Sequence, residues 1–114
     1  MKLAEMRRIL EADLLCGEKL LLRDVVTVCG SDLLSDVLAL TIQETLLLTG
    51  LTNVQVIRTA DLSDLVGIVF VNGKRPGAEL VSMAQQKGIP LFTTRLPMYE
   101  ACGRLYQYGL KGCI

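Results

Sequence analysis

Residues 30–40, GSDLLSDVLAL, form a joint where a strand passes the chain to a helix. Just before it, residues 25–29 (VVTVC) are a short β-branched run bounded by charge on one side and Gly-Ser-Asp on the other, the pattern of a buried strand. Beyond it, Leu33, Leu34, Val37, Leu38 and Leu40 recur at helical spacing, which predicts a core-facing helix over 32–40. Ser31 or Asp32 is the expected N-cap, because a short side-chain oxygen there accepts a hydrogen bond from an otherwise unpaired amide of the first turn. The same joint gathers free amides and the positive end of the helix dipole, the ingredients of a ligand site.

Outward from this joint the strand-helix alternation continues. Toward the N-terminus, residues 2–12 place Leu3, Met6, Ile9 and Leu10 on one face of an amphipathic helix. Two apolar pieces follow at 14–16 and 20–22, separated by Gly17-Glu18-Lys19, as in a hairpin or edge strands. Toward the C-terminus, a polar break at 41–44 leads to a strand at 45–49. After a turn at 50–53, Asn53 is expected to cap a helix from Val54 to about Leu65. Residues 67–71 (GIVFV) are an unbroken apolar strand of the kind buried on both faces. A polar loop at 72–77 puts Pro76 in the first turn of a helix that Gly88 ends. A strand at 89–93 precedes a last helix from Pro97 to about Tyr108, closed by Gly109.

Repeated strand-helix units imply parallel crossovers. The expected fold is α/β: a mostly parallel sheet of about four strands with helices on both faces, plus an N-terminal helix and short edge strands. With 114 residues, the chain is expected to be a single domain spanning 1–114.

In open parallel sheets, ligands collect where the strands end and the helices begin. The polar residues predicted there are Ser31, Asp32, Thr49, Asn53, Asn72, Thr94 and Arg95. Backbone amides at these turns suit anionic oxygens, and Arg95 supplies charge, as would the Lys74-Arg75 pair. Solvated loop charges are the plain alternative for each cation.

Other chemistries are poorly provided for. Histidine is absent, which removes the commonest general base and metal ligand. Asp32 and Asp36, four apart, are two carboxylates where a dedicated cation site needs more, so no metal is expected. GIVFVNGKR superficially suggests a phosphate-binding loop, but five residues separate Gly67 from Gly73 and Arg75 stands where Ser or Thr is needed. The cysteines, Cys16, Cys29, Cys102 and Cys113, lack CxxC spacing; Cys29 and Cys102 are expected in the core and Cys113 as the exposed thiol.

Basic and acidic residues balance at 12 each and aromatics are 4%, so no nucleic acid is expected as a partner. No apolar run approaches the roughly 20 residues needed to span a bilayer, so no membrane partner is expected either. The charged start MKLAEMRRILEAD is unlike a secretion signal, and a cytoplasmic location is the default. Hydrophobic residues reach 51% and mean hydropathy is +0.43, a surplus that predicts a homodimer. Gly103, inside the last helix between Tyr99 and Tyr106, suggests a close helix approach, either by a second subunit or by the N-terminal helix.

The segments GSDLLSDVLA, TLLLTGLTNVQVIRTADLSDLVGIVFVNGKRP and GIPLFTTRLPMYEACGRLYQYGL together resemble the DRTGG-domain family across nearly the whole chain. Of the family's naming motif Arg23 is matched, while Leu22 and Val26-Thr27-Val28 depart from it. The resemblance implies an α/β fold like the N-terminal domain of bacterial HPr kinase/phosphorylase and a regulatory role, since such domains occur beside CBS and phosphotransacetylase domains. It implies no catalytic activity and no cofactor. The combined expectation is a non-catalytic module that senses a small anionic metabolite, an adenine nucleotide among the candidates, and acts as a homodimer or through a partner protein. The alternative is a pure protein-protein interaction module without a ligand; an enzyme using Asp32 with a metal ranks last.

Overall fold

The computed structural model describes residues 1–40 and 42–113, so the predicted break at 41–44 lies partly outside the described residues, at Thr41. Helix α1 (Leu3–Ile9) and strand β1 (Asp13–Cys16) open the chain, followed by a 3-10 turn at Glu18–Leu20. Then come β2 (Thr27–Gly30), α2 (Leu34–Leu40), β3 (Thr45–Thr49), α3 (Val54–Leu62), β4 (Gly67–Phe70), α4 (Ala78–Lys87), β5 (Leu91–Thr93), α5 (Met98–Gln107) and β6 (Lys111–Gly112). All the strands join one sheet in the order β1-β5-β4-β3-β2-β6. From β5 to β6 the pairings are parallel, and β1 runs antiparallel against β5.

The expected sheet of about four mostly parallel strands is therefore corrected to a mixed sheet of six. The four central strands are those anticipated. The additions are edges: residues 14–16 form β1 with no hairpin partner, since 18–20 turn as 3-10 helix, and β6 was not anticipated. Two residues, Lys111 and Gly112, carry no hydrophobic alternation, and their pairing with Thr27 and Val28 is set by where α5 delivers the chain.

Strand order dictates the layers. β2, β3, β4 and β5 step in one direction, and right-handed crossovers made that way all land on one face. On that face Val37 of α2, Val56, Ile57 and Ala60 of α3, and Leu80 and Ala84 of α4 pack on Leu47, Ile68, Phe70 and Leu91. The return from β5 to β6 reverses the direction, so α5 lies on the other face with α1. There Leu3, Met6, Ala101 and Leu105 meet Leu46, Leu48, Val69 and Phe92. The period-2 alternation of side chains across a strand feeds both layers, which is why β3 and β4 are buried at every position.

Several local expectations shift. The strand predicted at 25–29 begins at Thr27, because Val25 donates its N–H to the Met1 carbonyl (2.7 Å) and Asp24 bridges Lys2, tying 24–25 to the N-terminus. The Lys2 ammonium, 2.8 Å from Asp24, holds that carboxyl below its ordinary value. Helix α3 stops at Leu62 and β5 starts at Leu91, each shorter than expected. Pro76 lies outside α4, whose N-cap is Gly77, while Gly88 ends that helix at φ +69° as anticipated.

The largest departure concerns α2. Its expected core face buries Val37, but Leu33 is 58% exposed and Leu38 49%. The helix sits over β2, and beyond β2 the sheet has just the two residues of β6, so there is too little sheet to cover a full apolar stripe. Of the two helix approaches expected at Gly103, that of the N-terminal helix is corrected: a Cβ placed there would meet nothing within 4 Å, so α1 makes no close approach at that point. Its neighbours Tyr99 and Tyr106 are exposed.

Candidate functional site

The strand ends carry two polar clusters rather than one continuous site. At the ends of β2 and β3, Asp32 Oδ1 accepts hydrogen bonds from Thr49 Oγ1 and from the Gly50 amide, both at 2.8 Å. Ser31 Oγ accepts from the Leu33 amide at 3.0 Å, and Thr49 Oγ1 from the Leu51 amide at 3.2 Å. Asn53 Oδ1 caps α3 by accepting from the Gln55 amide at 3.1 Å. The expected cap by Ser31 or Asp32 is therefore corrected: α2 begins at Leu34, the serine accepts from Leu33 within its own loop, and the aspartate reaches across to the next one. Short polar side chains at these positions brace the loops against each other through Asp32 Oδ1, Thr49 Oγ1, Ser31 Oγ and Asn53 Oδ1. Among the described residues no group of three His, Cys, Asp or Glu is placed to hold a metal ion, and Asp32 precedes the helix that carries Asp36.

The second cluster lies where the strand order reverses. The loop after β4 runs to α4 on one face and the loop after β5 to α5 on the other. They stay tied at their roots: the Asn72 amide donates to Leu96 O at 2.9 Å, Gly73 N–H to Thr94 O at 2.8 Å, and Thr93 Oγ1 to Lys74 O at 2.7 Å. Asn72 and Gly73 both adopt left-handed conformations, φ +59° and +68°, which asparagine tolerates and glycine takes without cost. Facing these loops is the corner between α1 and β1. It is held by Thr94 Oγ1, which donates to Leu10 O at 2.7 Å, and by Arg104, whose Nη1 reaches Ile9 O at 3.1 Å and Glu11 Oε2 at 2.9 Å.

Between corner and loops is a pocket of about 490 Å³, walled by Leu10, Glu11 and Asp13 on one side and by Gly73, Arg75 and residues 93–96 on the other. Its charges are nearly all matched. Arg75 Nη2 is 2.8 Å from Asp13 Oδ2, and Glu11 is held by Arg104. Arg95 is exposed and, among the described residues, makes no ion pair. The backbone amides of Arg75 and Arg95 likewise have no hydrogen-bond partner among the described residues. A guanidinium and unpaired amides around one concavity can bind an anionic oxygen cluster.

Of the seven residues expected at a site, the structure brings Thr94 and Arg95 to this pocket, with Asn72 in the adjoining loop. Ser31, Asp32 and Thr49 form the separate β2–β3 brace, and Asn53 belongs to α3's cap. Sequence reasoning missed Glu11, Asp13 and Arg104. Asp13 enters because β1 docks antiparallel to β5, placing it beside Thr93, a pairing across 80 residues that no local pattern announces.

The fold has a solved counterpart. It matches the crystal structure of the CBS and DRTGG domains of the regulatory region of Clostridium perfringens pyrophosphatase, complexed with its activator diadenosine tetraphosphate, with a TM-score of 0.73 at 14% sequence identity. The match covers 93% of this chain and 46% of that one, so the chain spans about half the length of its structural relative. At that identity the likeness is one of fold. No family model matches the sequence, and no curated protein matches it.

Proposed function

We propose that the chain is a non-catalytic regulatory module of the DRTGG type, a single domain that senses a small anionic metabolite in the pocket beside β5. The observation that carries this reading is Arg95, a guanidinium with no ion pair among the described residues, in a concavity whose other charges are already matched. Support comes from the shared fold with a regulatory region whose activator is a dinucleotide, which makes an adenine nucleotide one candidate ligand. The module acts in the cytoplasm as a homodimer or through a partner protein, transmitting occupancy of the pocket through the loops that root α4 and α5. The likeness to the HPr kinase/phosphorylase N-terminal domain belongs to the same proposal.

A thermal-shift screen against AMP, ADP, ATP and acetyl phosphate at about 1 mM tests it. A ligand with a dissociation constant near 10 μM adds about 2.7 kcal/mol at that concentration. The midpoint of a domain this size then rises on the order of 10 °C. Arg95→Ala should remove the rise and leave the unliganded midpoint in place, because the side chain is exposed and makes no ion pair among the described residues. An equal rise in the variant would take Arg95 out of the site.

A second reading, an interaction module without ligand, is favoured by the outer face of α5. Tyr99 is 85% exposed and Tyr106 69%, with open space above Gly103 between them. A flat ligand screen together with a light-scattering mass above one chain, lost on Tyr99→Ser with Tyr106→Ser, would select it.

A further inference from the structure

Three thiols gather around the short edge of the sheet, and two of them share a face. β6 runs parallel to β2 with Lys111 beside Thr27 and Gly112 beside Val28, so the next step in register sets Cys113 beside Cys29. Neighbouring parallel strands are about 4.8 Å apart, within the span a disulfide bridges between its Cα atoms. Cys29 is buried in the layer beneath α2, and Cys113 packs half-buried against that same layer. The expectation of Cys113 as a freely exposed thiol is therefore corrected. Both cysteines line one open groove of about 330 Å³, so a small oxidant can reach them. Cys102 belongs elsewhere: it packs against the opposite layer, with its Sγ directed to Met98 Sδ at 3.7 Å.

We propose that Cys29 and Cys113 are a modification site, a thiol pair that a low-molecular-weight disulfide, oxidised glutathione, converts to an intramolecular disulfide that fastens β6 to β2. The Cys113 thiolate attacks one sulfur of the oxidant, forming a mixed disulfide and releasing one glutathione thiolate, which takes up a proton. Cys29 then loses its proton to solvent, and its sulfur attacks the Cys113 sulfur. The bond to the second glutathione breaks, and that glutathione leaves as a thiolate and is protonated. Two protein thiols are oxidised and one glutathione disulfide is reduced to two thiols.

The order of events follows from the surroundings. Burial, then the hydrogen bond and charge of Cys113, push the Cys29 thiol up to about 12, which keeps it protonated and unreactive toward the oxidant itself. Without the bond, β6 is held to the sheet by a two-residue pairing. With it, the chain that leaves α5 is fastened covalently.

The test uses the full chain, reduced and then incubated with oxidised glutathione, followed by digestion without reductant and mass spectrometry. The expected product is an intact chain lighter by two hydrogens, with the peptides of Cys29 and Cys113 joined. Its unfolding midpoint should lie on the order of 10 °C above that of the reduced protein, because the bond closes most of the chain into one loop. A thiol reductant should reverse both changes, and Cys113→Ser should show neither while keeping the reduced protein's midpoint. A glutathione adduct that persists on Cys113, a bond to Cys102, a bond between chains, or no reaction would each overturn the proposal.

Discussion

At the scale of single residues, Asp32 shows how the fold turns one oxygen of a promising carboxylate to bracing. Its Oδ1 holds both the buried Thr49 hydroxyl and the Gly50 amide at 2.8 Å, so it fastens the end of β2 to the end of β3. Asp32→Ala leaves two donors without that acceptor and should cost about 2 kcal/mol, measured by urea unfolding. Binding at the Arg95 pocket should be unchanged, since the two clusters sit on different strands. A charge at a strand end was visible in the sequence; whether its lone pairs face a ligand or the next loop depends on which strand lies alongside. Arg95 is the converse case. Arg75 and Arg104 find acids contributed by the α1–β1 corner, and Arg95 finds none among the described residues.

At the scale of elements, the packing of α5 against β2 has little tolerance. A Cβ on Gly30 would lie 2.7 Å from Cys102 Sγ and 3.1 Å from Met98 Sδ, so the helix approaches this strand because residue 30 has no side chain. Gly30→Ala should therefore destabilise by about 1–3 kcal/mol through overpacking. Adding Cys102→Ala should recover part of that loss, and chemical denaturation of the two variants measures the coupling. Elements with strong local signals came out as expected. β3 spans Thr45–Thr49, Asn53 caps α3, and Gly88 and Gly109 follow α4 and α5 in left-handed conformations, because capping and positive φ are decided by residues adjacent in sequence. α2 was misjudged on a different ground. Helical spacing of leucines reports which side chains share a face, but the amount of sheet beneath that face is a property of the neighbours.

At the scale of the whole molecule, one sheet separates two apolar layers that communicate through the strands alone. Ile57 of α3 lies in one layer and Leu105 of α5 in the other. Ile57→Val should cost about 1 kcal/mol and Leu105→Ala about 2–5 kcal/mol. Lying in different layers, the two should add to within about 0.5 kcal/mol, and the sum is checked by equilibrium unfolding of the double variant. A clear excess would mean that strain passes through the sheet from one layer to the other.

The amino-acid sequence by itself determined the α/β class, the four central strands and the helices between them. Those features follow from hydrophobic period, caps and turn residues, which act over a few neighbours. Tertiary structure alone decided the two edges of the sheet, the separation of the β2–β3 brace from the pocket that holds Thr94 and Arg95, and the arrival of Cys113 at the groove that Cys29 lines. Each of these depends on strand order. Strand order is settled by which apolar faces can be covered at once, a condition on the whole chain that no local stretch of sequence contains.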